Sequence, residues 1–195
     1  MIDLTKGPVH ISSGPGSNPN SMCLTLISEA LKQGGRVIWM VRKFPNREKV
    51  SDILGHLSEK EMDRMMTIEF EEKLLLNSSK IKKIIPSLRK EDLLVIEEWC
   101  ESFGRSRKKD GDLMRDLAKI NENLQIVITS NSYEDASGEK RGLDGWMVRG
   151  EKLLGNAYRT VWMTKVQEQY QKVIITDGNF QNVVYLTKNG FENYN

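Results

Sequence analysis

The sequence predicts an α/β fold in which a mainly parallel sheet is flanked by helices and carries antiparallel hairpin strands at its C-terminal end. Segments that are apolar almost throughout, as strands buried on both faces are, alternate with segments whose apolar residues recur at helical spacing. That alternation indicates right-handed crossovers between parallel strands. The C-terminal part instead has strand-like segments joined by short turns, which is typical of hairpins.

The first half of the chain opens with an extended run and a loop rich in Gly, Pro, Ser and Asn. The helix that follows has apolar residues at helical spacing, and Gly34 and Gly35 supply its stop signal. The predicted elements are an extended run over 8–12, a helix over 22–33, a strand over 36–41, a helix over 47–57 and a strand over 65–70.

The second half repeats the alternation and then changes character. Pro86 is expected to end a helix, and Asp177-Gly178 is a turn dipeptide of the hairpin kind. The predicted elements are a helix over 72–85, a strand over 92–97, a helix over 112–121 and a strand over 125–129, followed by strands over 158–165, 172–176 and 183–187.

Length and composition indicate one domain over residues 1–195. A chain of this size buries roughly 70% of its unfolded surface, so it can form a core without disulfides or metals. Its 38% hydrophobic and 29% charged residues are those of a globular protein rather than a disordered one. With 29 basic and 27 acidic residues the net charge is only +2, so any surface for nucleic acid has to be local.

The cysteines and the apolar runs indicate in which cellular compartment the protein is expected. Cys23 and Cys100 lie in apolar contexts, form no Cys-x-x-Cys pair and have no zinc spacing with His10 and His56, so neither a disulfide framework nor a metal site is predicted. The apolar runs are shorter than the roughly 20 residues that span a bilayer, and the N-terminus lacks a signal pattern. We therefore expect a cytoplasmic protein with no membrane partner.

The loop after the first extended run has part of a phosphate-binding pattern. It reads GPGSNPNS, and against G-x-x-x-x-G-K-[ST] it keeps the first glycine, Gly14, and the last residue, Ser21. Its position between a strand and a helix suits an anion, because a helix N-terminus presents backbone N–H groups. The candidate cofactor-binding residues of this loop are Gly14, Gly16, Ser17, Asn20 and Ser21.

The same loop lacks two parts of the pattern. Pro19 replaces the second glycine and has no N–H to donate, and it is expected to hold Asn18 in an extended conformation. Asn20 replaces the lysine, which removes a charge-assisted contact worth roughly 1.5–3 kcal/mol. A turn that binds no ligand explains these residues equally well.

The order of motifs resembles the RecA-type ATPase core of the archaeal RadA/RadB recombinases. The degenerate phosphate loop is followed by RVIWMVRKFPNRE and then by DLLVIEEW, where an apolar strand ends in Glu97, as in the second ATP motif of that family. The run ESFGRSRKKDGDLMRDLAKINENLQIVITSN and the segment GEKLLGNAYRTVWMTK follow in the family's order. The matching residues are Phe44, Pro45 and Arg47, then Leu154, Ala157, Arg159 and Lys165.

The resemblance implies a RecA-like core with degenerate ATPase motifs. It places Val41 where the family has the glutamate that activates water, and a valine cannot act as a base. Glu97 takes the place of the acid of the second motif, and Asn131 that of the glutamine that senses the γ-phosphate. We therefore expect no ATP hydrolysis, no catalytic residue and no required cofactor, with binding of ATP and Mg²⁺ without hydrolysis left open.

Two segments correspond in the family to DNA-facing loops. Gly104–Asp112 contains four basic residues, and Gly138–Lys152 contains four more and an apolar pair at Trp146 and Met147. Basic side chains can neutralise phosphates, and a tryptophan can stack on an unpaired base. A solvated loop, or a tryptophan that anchors its loop, explains them as well. The candidate DNA-binding residues are Arg105, Arg107, Lys108 and Lys109, then Lys140, Arg141, Trp146 and Arg149.

These features lead to one hypothesis and two alternatives. The first is a non-catalytic RadA-like paralog that binds single-stranded DNA, a RadA-type recombinase or another RecA-fold paralog, and assists recombination or repair. The second is a protein-binding regulator with little DNA affinity. The third is a RecA-type or KaiC-like ATPase that binds nucleotide with an unorthodox phosphate loop.

Overall fold

The structure is a computed structural model that describes residues 1–71, 74–137, 139, 141–166, 169 and 171–194. Its strands are β1 Val9–Ser13, β2 Val37–Val41, β3 Met65–Glu69, β4 Leu93–Ile96, β5 Gln125–Asn131, β6 Tyr133–Glu134, β7 Trp146–Met147, β8 Arg159–Lys165, β9 Lys172–Asp177, β10 Phe180–Thr187 and β11 Gly190–Asn193. Its α-helices are α1 Pro19–Lys32, α2 Arg47–Leu54, α3 Glu59–Met62, α4 Ser78–Ile84, α5 Lys108–Ile120 and α6 Glu151–Leu154. Short 3₁₀ helices cover Leu4–Lys6, Leu74–Asn77, Ile85–Ser87 and Gly155–Ala157.

One large sheet organises the part of the chain that the structure describes. Its strand order is β11-β10-β9-β8-β1-β5-β4-β2-β3. The six strands from β8 to β3 run parallel, and β9, β10 and β11 continue the sheet as antiparallel neighbours. This confirms the predicted α/β class with C-terminal hairpin strands.

Two apolar layers cover the faces of this sheet. Strand β2 shows the division, because Val37, Trp39 and Val41 pack in the layer of α1 while Ile38 and Met40 pack in the layer of α4 and α5. Alternate side chains of a strand point to opposite faces, so a strand covered on both sides has to be apolar at every position. That requirement explains the unbroken run VIWMV.

The parallel strands place their carboxyl ends along one edge of the sheet. The loop after β1 and the residues that follow β2, β4, β5 and β8 therefore gather there. In open α/β sheets this edge is where ligands bind. The candidate residues of the phosphate loop, Glu97 and Asn131 all lie along it.

Several predicted boundaries differ from the structure. Helix α1 begins at Pro19 rather than at 22, because a proline fits the first helical position, where its N–H is not needed. The helix predicted over 47–57 ends at Leu54, because the chain turns there, and a separate short helix, α3, follows it and is capped by Ser58 in a reciprocal pair with Glu61. Helix α5 begins at Lys108, four residues before the predicted start.

Other differences concern the middle and the end of the chain. The helix predicted over 72–85 begins on residues 72 and 73, which lie outside the described residues, and its next part is the 3₁₀ helix Leu74–Asn77. Pro86 lies inside the 3₁₀ helix Ile85–Ser87. The last strand, β11, was not predicted. It is short and mostly polar, and its pairing with β10 rather than its own sequence makes it a strand.

Within the described residues, no helix combines the length and the apolar character needed to cross a bilayer.

Candidate functional site

The loop after β1 closes on itself through its own hydrogen bonds. The Gly14 N–H donates to the Met163 carbonyl of β8 at 2.8 Å, and the Gly14 carbonyl accepts from the N–H and the Oγ of Ser17 at 3.3 and 2.8 Å. Pro15 and Pro19 have no N–H, and the N–H groups of Gly14 and Ser17 are already engaged, so these four residues of the loop offer no backbone donor to an anion. A phosphate would meet fewer donors here than in the full pattern.

Asn18 does not have the expected extended conformation. It lies in the left-handed region, with φ +58° and ψ +56°. A following proline disfavours the right-handed helical region, and an asparagine reaches the left-handed one more easily than most residues. The Asn18 side chain donates to the Gly16 carbonyl at 3.2 Å, while its own carbonyl accepts from the Ser21 and Met22 N–H groups. The first turn of α1 is therefore fixed from this residue.

Asn20 and Trp39 hold Glu97 at the centre of the sheet edge. The Asn20 Nδ2 donates to one carboxylate oxygen of Glu97 and the Trp39 Nε1 donates to the other, both at 2.6 Å. Glu97 is only 2% exposed, and burial, with a smaller contribution from Glu98, raises its pKa to about 7. Asn20, which stands where the phosphate-binding pattern has lysine, is thus engaged with Glu97.

Arg42 fills the edge next to this acid. It follows Val41, which is buried, and its guanidinium donates to the Glu98 carbonyl at 3.0 and 3.1 Å and to the Glu71 carbonyl at 3.2 Å. It also pairs with Glu101 at 3.3 Å. Nothing in RVIWMVRK indicates that the Arg42 side chain turns back over the strand ends, so the sequence alone does not predict this role.

Asn131 links two segments instead of standing alone at the end of β5. Its Oδ1 accepts from Ser13 Oγ at 3.2 Å, and its Nδ2 donates to Ser102 Oγ at 3.1 Å. It therefore ties the last residue of β1 to the segment after β4.

Two further side chains lie near the phosphate loop. The side chain of Lys165, at the end of β8, lies close to Gly16, since a Cβ built on Gly16 would be 3.1 Å from Lys165 Cδ. The buried Ser21 Oγ has no hydrogen-bond partner among the described residues.

The two segments predicted to face DNA meet at one cavity. Arg149 Nη1 donates to the Gly104 carbonyl at 2.6 Å, and its guanidinium stacks on the Tyr133 ring at 5.0 Å. The cavity has a volume of about 600 Å³ and is lined from one side by 104–106 and from the other by Tyr133 and 147–153. Its charged lining residues are Arg105, Arg149, Lys152 and Glu151, an excess of two positive charges.

The other candidate DNA-binding residues have varied settings. The first segment is a loop only up to Arg107, so Lys108 and Lys109 lie on the first turn of α5 and not in a loop. Arg107 pairs with Asp110 at 2.8 Å, and Lys108 pairs with Asp112 at 3.1 Å, while Lys109 is exposed. A positive charge close to the N-terminus of a helix opposes its dipole, which these acidic partners offset.

In the second segment, Gly138–Lys152, the predicted DNA-binding residues Arg141 and Trp146 contact other parts of the protein. Arg141 pairs with Asp135 through two bonds of 2.8 and 3.0 Å, which hold the pKa of that carboxyl well below its usual range. Trp146 is half-buried in β7, opposite Glu134 of β6. Lys140 lies outside the described residues.

Three side chains of this region are not among the predicted DNA-binding residues, although Lys152 ends a segment that was predicted to face DNA. Phe103 is 89% exposed and Tyr133 41% exposed, and Lys152 lines the cavity. The available signal was an aromatic residue within a polar loop, ESFGRS, immediately before the basic residues. Aromatic and basic side chains together are typical of surfaces that bind unpaired bases.

Gly150 lines the cavity and packs closely against the Trp99 ring, and its substitution gives a testable result. It has φ +74°, and a Cβ there would lie 2.4 Å from the Trp99 ring, so we expect Gly150→Ala to lower the free energy of unfolding by about 3 kcal/mol. Gly104→Ala is the matched control, since its φ is +71° and nothing lies within 4 Å of its Cβ, and it should lose only about 1 kcal/mol. Urea unfolding measures both, and equal losses would contradict the contact with Trp99.

Comparisons with known proteins show a likeness of fold to several solved structures. No protein-family model matches the sequence, and a search of curated proteins finds no match. Solved structures do match: a RadB recombinase has a TM-score of 0.67 and 11% identity over 97% of this chain and 91% of its own. A KaiC-like protein from the archaeon Pyrococcus horikoshii gives 0.66 and 10% over 97% and 89%. The flagellar accessory protein FlaH from Methanocaldococcus jannaschii gives 0.62 and 13% over 97% and 90%.

Proposed function

With the RecA-like fold as the premise, we propose that this protein binds single-stranded DNA in the cavity between residues 104–106 and 147–153 and does not hydrolyse ATP. One observation carries the proposal: the hydrogen bond from Arg149 to the Gly104 carbonyl joins the two segments that the sequence analysis assigned to DNA. Residues distant in sequence thereby form one basic site.

The charges and size of the cavity suit a single strand. Arg105, Arg149 and Lys152 can each contact a phosphate oxygen, and Glu151 offsets only one of these three charges. A cavity of about 600 Å³ admits a small number of unstacked nucleotides. A single strand can splay its bases into such a space, whereas the bases of a duplex are paired and stacked.

Three features of the sheet edge argue against hydrolysis. Pro19 and Asn20 replace the phosphate-binding glycine and lysine, and Val41 stands at the position of the base. Asn20 and Trp39 engage both oxygens of Glu97. Burial raises the pKa of Glu97 to about 7 and so disfavours the charged carboxylate that Mg²⁺ would need. We therefore propose no cofactor for its activity.

The absence of hydrolysis is tested by phosphate release from ATP with Mg²⁺. We expect the purified protein and its Ser21→Ala variant to release phosphate at the same background rate, because a protein that does not hydrolyse ATP does not depend on the hydroxyl at the metal-binding position of the phosphate-loop pattern. Turnover that Ser21→Ala abolishes would contradict this part of the proposal.

DNA binding is tested by fluorescence anisotropy with labelled oligothymidylate and with a hairpin duplex. We expect the single strand to bind more tightly and its affinity to fall as salt rises. No binding of oligothymidylate at low salt would overturn the proposal. The likeness in fold to a RadB recombinase supports a role in recombination or repair beside a RadA-type recombinase or another RecA-fold protein, for which co-purification is the test.

A further inference from the structure

Phe103 is the most exposed large apolar side chain in the part of the chain that the structure describes. Its exposed fraction is 89%, although phenylalanine is among the residues most often buried. A single exposed apolar residue on a mobile tip would need no explanation. The setting of Phe103 is different, because the backbone on both sides of it is fastened.

The residues before and after Phe103 are held by two separate parts of the protein. Ser102 Oγ accepts a hydrogen bond from Asn131 Nδ2 at the end of β5, at 3.1 Å. The Gly104 carbonyl accepts from Arg149 Nη1 at 2.6 Å. The ring is therefore presented to solvent from a fixed backbone. A ligand that covers the ring does not have to order this backbone, so binding avoids that entropic cost.

We propose that Phe103 is the platform on which one unpaired base of a bound single strand stacks. This inference rests on the proposed function and adds to it the residue that contacts the bases. Arg105 lies two residues further on, at the basic cavity, and could hold a phosphate of the same strand. A base on Phe103 and its backbone on Arg105 would use the two kinds of contact that sequence-tolerant single-strand binding requires.

The charge around Phe103 favours a nucleic acid over an apolar protein segment. Arg105 and Lys109 follow within six residues and are exposed. An apolar peptide would have to leave these charges next to its own surface without a counterion, whereas a nucleotide presents an aromatic ring and an anion together. The chemistry of the surface and that of the ligand are complementary.

Two probes separate stacking from contacts to the backbone. Anisotropy titrations use labelled oligothymidylate and an oligomer of the same length whose internal sites are abasic. Phe103→Ala should weaken binding of oligothymidylate by about fivefold to a hundredfold and leave binding of the abasic oligomer unchanged. Phe103→Trp should keep the wild-type affinity for oligothymidylate, because any aromatic ring can stack on a base. Phe180→Ala is the matched control, since Phe180 is 79% exposed at the hairpin between β9 and β10.

Each contrary outcome is distinct. An equal affinity of wild type and Phe103→Ala for oligothymidylate would overturn the stacking role while the basic cavity still accounts for binding. An equal loss for both probes would overturn it as well, because it would show that Phe103 positions the loop. Failure of the wild-type protein to bind oligothymidylate would instead remove the proposed function itself.

Discussion

Replacement of Arg105, Arg149 and Lys152 together by alanine is expected to weaken oligothymidylate binding by about a hundredfold at low salt. Each of these side chains lines the cavity, and each lost phosphate contact removes about 1 kcal/mol of binding free energy. The slope of log K against log salt should also become shallower by about two, because each neutralised phosphate contributes about 0.7 for a single strand. Anisotropy titrations over a range of salt concentrations measure both quantities.

The control for this experiment removes the same charge elsewhere. Lys6, Lys60 and Lys90 are exposed and precede β1, β3 and β4, so they lie at the amino edge of the sheet, away from the cavity. Their triple alanine variant lowers the net charge by the same three units and should keep nearly all of the affinity. A comparable loss of affinity in both variants would show that DNA binding depends on the overall charge of the protein and would contradict a localised site.

Replacement of Glu97 by glutamine is expected to change how stability depends on pH. In the folded protein burial raises the pKa of Glu97 from 4.5 to about 7, so the folded state holds the proton more tightly than the unfolded chain. The free energy of unfolding therefore falls as pH rises from about 4.5 to about 7, by about 3 kcal/mol in total. Glutamine cannot ionise, so the variant should lose this decline.

The side chains around Glu97 can accept the glutamine. Its oxygen can accept from Trp39 Nε1, and its amide can donate to Asn20 once the Asn20 amide turns over. Buried His10 acts in the opposite direction, because burial lowers its pKa to about 3 and stability is lost as pH falls below about 6.5. Only the difference between the two proteins therefore isolates Glu97.

Urea unfolding at several pH values measures this difference. The stability of Glu97→Gln relative to wild type should increase by about 3 kcal/mol between pH 4.5 and pH 8 and then stay constant. A difference in stability that does not change with pH would show that the Glu97 carboxyl has an ordinary pKa in the folded protein. It would contradict the rise in pKa that we attribute to burial.

The fold was largely predictable because burial imposes a regular pattern on the sequence. The runs at β2, β4 and β5 are apolar at successive positions, and only strands covered on both faces require that. The ends of the helices were less predictable, since the first turn of α5, from Lys108, is made of polar residues and a glycine that the spacing of apolar residues does not record. Strand β11 is also mostly polar and depends on its pairing with β10.

The candidate site was predictable in its parts but not in its connections. The sequence alone determined that Gly14–Ser21 departs from the phosphate-binding pattern, that Val41 cannot be a base and that two basic segments follow the strands, because these facts concern which residues are present. Only the tertiary structure decided that Asn20 binds Glu97 and that Arg149 joins the loop of Phe103. Such bonds link residues far apart in the chain, and the order of the parallel strands, which no local pattern encodes, is what brings them within reach.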